Sequence, residues 1–181
     1  MKKAYDRVRW NFLKAVLIAM NFDHKWIKWI MECVSTVQYT LLVNGSTTMS
    51  FKSAKSLRQG DPLSPYLFLL CANALSMSLQ KAEQEKLING VRVGRNGCTF
   101  THLLYADDSL FFFKNDNKSL VKLRCILDWY CNLSGQCINY EKSDLFCSPN
   151  MYNEEQVCLA RLLNVNLVQN PSKYLGQNFK L

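Results

Sequence analysis

The spacing of apolar residues along this chain changes period several times, and each change marks an element. Over residues 7–22 the apolar positions are Val8, Phe12, Ala15/Val16 and Ala19/Met20, the spacing of one helix face. Asp23 stands where a cap is needed for a second helix over 24–34, rich in Trp and Ile. Residues 36–43 alternate and are β-branched, and Asn44-Gly45 is a hairpin-turn signal, so 49–57 reads as the returning strand. The run Arg58-Gln59-Gly60-Asp61-Pro62-Leu63-Ser64-Pro65 then breaks the pattern. Ser64 is expected as N-cap and Pro65 as the first residue of a helix over 65–85, very apolar in its first half. A short strand over 88–93 and a turn over 94–97 lead to two strand-like runs, 99–105 and 109–113. Residues 118–133 are amphipathic again and stop at Ser134-Gly135; 138–148 is strand-like, 153–163 helical, and Tyr174 opens a last strand. The predicted order ααββαβββαβαβ is that of an α+β fold with antiparallel hairpins. Pro149 to Asn153 is the one soft joint, dividing 1–148 from 149–181 within a single structural unit.

Composition narrows the class. A chain of 181 residues, 49% hydrophobic, can bury a useful core, and nothing in it resembles a repeat or a low-complexity tract. The formal charge of +8 favours an acidic partner, of which nucleic acid is the commonest, although the basic residues are dispersed and suit a merely soluble surface equally well. There are eight cysteines and two histidines, with no Cys-x-x-Cys pair, so a zinc site has no support. Cysteines such as Cys71 and Cys125 lie within apolar runs and read as reduced thiols of an intracellular protein, cytoplasmic or nuclear. No apolar stretch is long enough to span a membrane, and no membrane partner is expected.

The chemistry concentrates at Tyr105-Ala106-Asp107-Asp108. Two adjacent carboxylates between two strand-like runs suit a hairpin tip that holds Mg²⁺, a hard cation satisfied by one or two carboxylates and substrate phosphate oxygens. The same four residues also suit an ordinary turn, because Asp is a favoured turn residue.

The ordered motif set decides between these. Lys3-Ala4-Tyr5-Asp6-Arg7-Val8 with Trp10, Arg58 to Pro65, Tyr105 to Asp108, Gly135-Gln136-Cys137-Ile138-Asn139-Tyr140-Glu141-Lys142-Ser143 and Tyr174-Leu175-Gly176 follow one another over nearly the whole chain. Together they resemble the reverse transcriptase of LINE-type (non-LTR) retrotransposons, especially plant members. The resemblance implies a right-hand polymerase: an antiparallel palm sheet backed by helices with part of the fingers over 1–148, and a palm-to-thumb connection over 149–181. It implies nucleotidyl transfer with two Mg²⁺ ions on an RNA template and a DNA primer, consuming deoxynucleotides.

By the same resemblance Asp107 and Asp108 are metal ligands and catalytic. Tyr5 is the aromatic gate beneath the incoming sugar. Arg58, Gln59, Gly60 and Tyr105 contact substrate, with Gln59 and Gly60 at the nascent base pair. Lys142 protonates the leaving pyrophosphate, and Tyr174, Leu175 and Gly176 grip the primer. In this family a further catalytic Asp lies three residues before the lysine matched by Lys3, which is before Met1. The expectation is therefore a truncated fragment, with Met1 an internal methionine, the rest of the polyprotein missing, and activity low or absent. Asp6 is expected to favour the start of the helix near Arg7, not to replace that acid. The competing reading is a non-catalytic nucleic-acid-binding remnant of a retroelement.

Overall fold

The computed structural model describes residues 1–95 and 97–170, together with the strands at 173–174 and 177–178. The chain starts with three helices, α1 (Ala4–Arg7), α2 (Trp10–Ala19) and α3 (His24–Ser35). Where one helix over 7–22 was expected, the backbone leaves the helical path at Val8, with ψ 118°. Tertiary partners take its backbone groups: the Val8 carbonyl accepts the Ser56 N–H at 2.9 Å, and the Arg9 N–H donates to the Ser134 carbonyl at 2.8 Å. The Asp23 carboxylate accepts the Lys25 N–H at 2.8 Å and caps α3 as predicted.

A long interrupted hairpin follows. β2 (Leu42–Val43) pairs with β3 (Ser46–Thr47) across Asn44-Gly45, and β1 (Gln38–Tyr39) pairs with β4 (Phe51–Lys52) below. Asn44 and Gly45 have φ 49° and 80°, the two left-handed residues of a tight turn that matches strand twist.

α4 (Ser64–Gln84) is the spine of the molecule. Its stripe Leu67, Phe68, Cys71, Leu75 and Leu79 is buried, at the three- and four-residue spacing of one helix face. Ser64 is the first helical residue and not its cap. Leu63 stands at the N-cap with no side-chain bond to the helix, and Asp61 closes the turn before it, its carboxylate accepting the Leu63 N–H at 2.9 Å. Asp61 suits that turn because its short side chain reaches the amide two residues on.

Beyond α4, β5 (Val91–Arg92) pairs with β6 (Thr99–Phe100), and β7 (His102–Tyr105) pairs with β8 (Asp108–Phe111). α5 (Asn117–Ser134) is capped by Asp116 and closed by Gly135, at φ 79°. The expected strand over 138–148 is only partly extended. A 3₁₀ turn (Tyr140–Lys142) is tightened by the Ser143 hydroxyl, which donates to the Asn139 carbonyl at 2.8 Å, and β9 (Asp144–Phe146) follows. β9 runs parallel to β10 (Asn166–Val168) through α6 (Asn153–Leu163), a βαβ crossover. β11 (Lys173–Tyr174) pairs with β12 (Gln177–Asn178).

The chain is thus a mixture of helices and small sheets, an α+β fold. The one antiparallel sheet implied by the resemblance is not what the described strands form. They make two-stranded ladders, one of them parallel. Strands of two to four residues offer too few free backbone groups to join into a wide sheet. The core lies instead between helices. Val8, Leu13, Leu17, Leu57, Leu67, Leu75, Leu79 and Ile88 are each no more than 1% exposed. Each buried Leu or Ile contributes about 1.5–3 kcal/mol relative to exposure. Tyr130 of α5 meets Phe12 of α2 edge to face, with centroids 5.8 Å apart. All eight cysteines are free thiols, and burial pushes Cys71 up to about 12. No helix among the described residues is long and apolar enough to cross a membrane.

Candidate active site

The first nine residues thread between two other segments and are held by both. On one side, the Leu57 N–H donates to the Tyr5 carbonyl at 2.8 Å, and Gln59 Nε2 donates to the Asp6 carboxylate at 3.2 Å. On the other, the Lys2 N–H donates to the Cys137 carbonyl at 2.8 Å. The Tyr5 ring stacks on Phe68 of α4, with centroids 5.0 Å apart and planes 19° apart. Gly60 sits at φ 83°, and an added Cβ would meet nothing within 4 Å. The left-handed backbone, not crowding, favours glycine here.

A cleft of about 570 Å³ opens where these segments meet, lined by Tyr5, Arg58, Gln59, Gly60, Asp61, Pro62 and Pro65. That volume lies in the range of small-molecule sites. The structure therefore brings together four of the sequence-predicted residues, Tyr5, Arg58, Gln59 and Gly60. They provide an aromatic face, a guanidinium and an amide side by side. Asp61, Pro62 and Pro65 also line the cleft, although the sequence had suggested only a helix start for them.

The carboxylate pair lies on the β7–β8 hairpin. Tyr105 pairs with Asp108 and leaves Ala106-Asp107 as a two-residue loop, with Ala106 at φ 49°. Alternation along the ladder turns His102, Leu104, Ser109 and Phe111 toward the core and Leu103, Tyr105 and Asp108 outward. Asp107 and Asp108 are exposed, and neither carboxylate has a hydrogen bond or ion pair among the described residues. Free, adjacent, hard oxygen donors fit a divalent cation such as Mg²⁺. The amino group of Met1 donates to the Asp107 carbonyl. Four residue steps from there reach Tyr5, at most about 14 Å of extended chain.

α4 anchors this hairpin as well. His102 Nε2 lies 2.7 Å from the Ser76 hydroxyl, and Nδ1 lies 2.9 Å from that of Thr101. Burial holds the imidazole below its ordinary pKa of 6.5.

The other predicted residues lie apart from the cleft. Tyr105 is 62% exposed and does not line it. Lys142 is exposed at the end of the 3₁₀ turn and does not line it either. Tyr174 belongs to β11, opposite Gln177, while Leu175 and Gly176 lie outside the described residues. Asp6 differs from expectation. It lies inside α1 and gives its carboxylate to Gln59, instead of serving the start of the next helix. The geometric reason is the break at Val8, which turns α1 toward the Arg58–Pro62 loop. Phe68 and Gln136 were not foreseen. Phe68 is one of many apolar residues in the helix over 65–85, and Gln136 stood in the Gly135–Ser143 motif with no role assigned to it.

Comparison with known proteins agrees with these motifs. Residues 1–179 match the family model described as reverse transcriptase (RNA-dependent DNA polymerase). An uncharacterized mitochondrial protein of Arabidopsis thaliana is 43% identical over 68 residues, covering 38% of this chain and 56% of that protein. A retrovirus-related Pol polyprotein from the type-1 retrotransposable element R2 of Popillia japonica is 28% identical over 192 residues, covering 100% of this chain and 26% of the polyprotein. A 149 kDa protein of transposon TX1 of Xenopus laevis is 25% identical over 142 residues, covering 78% of this chain and 10% of that protein. The chain thus spans between a tenth and just over half the length of these relatives. With the match running from residue 1 to 179, this chain belongs to the reverse transcriptase (RNA-dependent DNA polymerase) family.

Proposed function

We propose that this chain forms the nucleotide cleft and one carboxylate pair of an RNA-directed DNA polymerase of the non-LTR retrotransposon kind. One observation carries the reading. Tyr5 and the Arg58–Gly60 loop, far apart in sequence, line one cleft of about 570 Å³. The Tyr5 ring would lie beneath the incoming sugar, and Gln59 and Gly60 would face the nascent base pair. Arg58 and Tyr105 are further substrate contacts. Asp107 and Asp108 would hold Mg²⁺, which supplies charge neutralisation for phosphoryl transfer. Lys142 would hold a proton at Nζ for the leaving pyrophosphate. Tyr174, Leu175 and Gly176 would contact the primer.

Two-metal transfer draws on carboxylates from two strands. Here Asp107 and Asp108 come from one hairpin, and Asp6 is held by Gln59 at 3.2 Å. We therefore expect this polypeptide alone to bind primer and template but to extend a primer at least about 10³-fold more slowly than a complete polymerase, a deficit of roughly 4 kcal/mol. The charge of +8 favours the binding part of this reading. Primer extension on an RNA template with Mg²⁺, run beside a salt titration of binding, is the test. Extension at a full polymerase rate would overturn the incomplete site. Binding that does not weaken with salt would overturn the nucleic-acid partner.

A further inference from the structure

α1 carries Tyr5 and cannot hold itself in place. It has four residues, and no side chain caps its N-terminus. A helix that short has no stability of its own, so its position comes from neighbouring bonds. From the cleft side those bonds are the Leu57 N–H to the Tyr5 carbonyl and Gln59 to Asp6.

From the opposite side the bond comes from a buried amide. Gln136 is 4% exposed, and its Nε2 donates to the Ala4 carbonyl at 2.7 Å. Ala4 is the residue before Tyr5 and is itself buried. Gln136 in turn is fixed to the end of α5. Its N–H donates to the Ser134 hydroxyl at 3.1 Å, and that hydroxyl donates to the Tyr130 carbonyl at 2.6 Å. Tyr130 is 2% exposed in the core. The other bonds between this elbow and the first segment flank α1: the Lys2 N–H to Cys137 and the Arg9 N–H to Ser134, both 2.8 Å, and the Arg9 guanidinium to the Asn132 carbonyl at 2.6 Å. Gln136 is thus the side chain through which the elbow after α5 grips α1 itself.

We propose that Gln136 is a positioning residue that sets the height of the Tyr5 ring in the cleft, and through it the preference for deoxynucleotides over ribonucleotides. This rests on the reading of Tyr5 as a residue beneath the sugar. Gln136 does not line the cleft. It acts by holding the Ala4 carbonyl, so that α1 is pressed between the elbow and the Leu57–Gln59 segment with Tyr5 stacked on Phe68.

The test is calorimetric titration of the chain, with primer·template and Mg²⁺, by dGTP and by GTP. Gln136→Met keeps the volume and removes the donor. Gln136→Glu keeps the shape and sets an acceptor against the Ala4 carbonyl, and it gives the same readout if Gln136→Met does not fold. Ile126→Val, on the buried face of α5 and outside the cleft, is the control for general destabilisation. Losing one hydrogen bond in the positioning path is expected to narrow the dGTP-over-GTP affinity ratio about fivefold, while Ile126→Val leaves it unchanged. If the unsubstituted chain does not distinguish dGTP from GTP, the reading of the cleft falls and this inference falls with it. If the unsubstituted chain distinguishes them and the folded Gln136 variants do so equally well, the cleft reading stands and the role of Gln136 is refuted. A ratio narrowed equally by Ile126→Val also refutes it.

Discussion

Replacing Gly135 by alanine tests whether the elbow after α5 really holds the first segment at contact distance. Two costs add. Gly135 has φ 79°, a left-handed conformation that costs an L-residue about 1–2 kcal/mol. A Cβ there would also lie 2.5 Å from the Arg7 carbonyl oxygen and 2.9 Å from Arg9 Cγ. The Arg9 side chain can swing aside, at the loss of its bond to the Asn132 carbonyl. The Arg7 carbonyl cannot, because the next residue, Val8, is buried and bonded to Ser56. Relieving that contact by backbone movement costs roughly 1–3 kcal/mol more. The total is about 2–5 kcal/mol. For a chain of this length, each kcal/mol shifts the melting temperature by about 2–4 °C. Gly60→Ala is the matched comparison, since it has φ 83° and open space around the added Cβ. It carries only the backbone cost, about 1–2 kcal/mol. Thermal melts and urea titrations of both variants would show Gly135→Ala losing clearly more, with unchanged urea slopes. Equal losses would refute the close approach.

Other perturbations follow from the same geometry. His102 is held below its ordinary pKa by burial, so the unfolded chain binds its proton more readily. Stability should be complete above about pH 6.5 and decline as pH falls beneath it, and His102→Gln should flatten the melting temperature below about pH 6.5. Asp116 is also held low: desolvation pushes it up, but hydrogen bonds from Ser119 and Asn89 together outweigh that and favour its charged form, so its contribution is lost only at more acid pH. Ala106→Gly at φ 49° should stabilise the Asp hairpin by about 1 kcal/mol, read as slower hydrogen exchange across β7 and β8. Leu75→Ala, 1% exposed in the middle of α4, should cost about 3–5 kcal/mol in denaturant titration without altering which residues line the cleft.

Long, strongly periodic segments were legible from sequence. α3, α5 and α6 lie within a residue or two of the expected bounds, and the caps at Asp23 and Gly135 follow from residue type alone. Breaks made by tertiary bonds were not legible. Nothing in the pattern Val8, Phe12, Val16 warns that Ser56 and Ser134 will claim the backbone at Val8 and Arg9. The strand lengths were hidden for a related reason. Residues 138–148 are apolar enough for a strand, but the Ser143 hydroxyl diverts the first part into a 3₁₀ turn. At the site, residue identities came from ordered motifs, which say what the segments carry but not how they touch. The stacking of Tyr5 on Phe68, the Gln59–Asp6 bond and the reach of Gln136 are contacts between positions dozens of residues apart. No periodicity in a single chain encodes such contacts.

α4 touches both the wall of the cleft and the Asp hairpin, with Phe68 stacked on the Tyr5 ring and Ser76 on His102 of the hairpin. Eight residues of helix separate those two points, a rigid spacing of about 12 Å. That makes this stretch intolerant of changes in length. One inserted residue would move Ser76 about 1.5 Å along the axis and turn it about 100° around it, carrying the Asp hairpin away from its present position relative to the cleft. The turn at Asn44-Gly45 lies outside this spacing, so added residues there would leave the distance between cleft and acids as it is. Within this chain, then, insertions should survive at the hairpin tip and fail between Phe68 and Ser76.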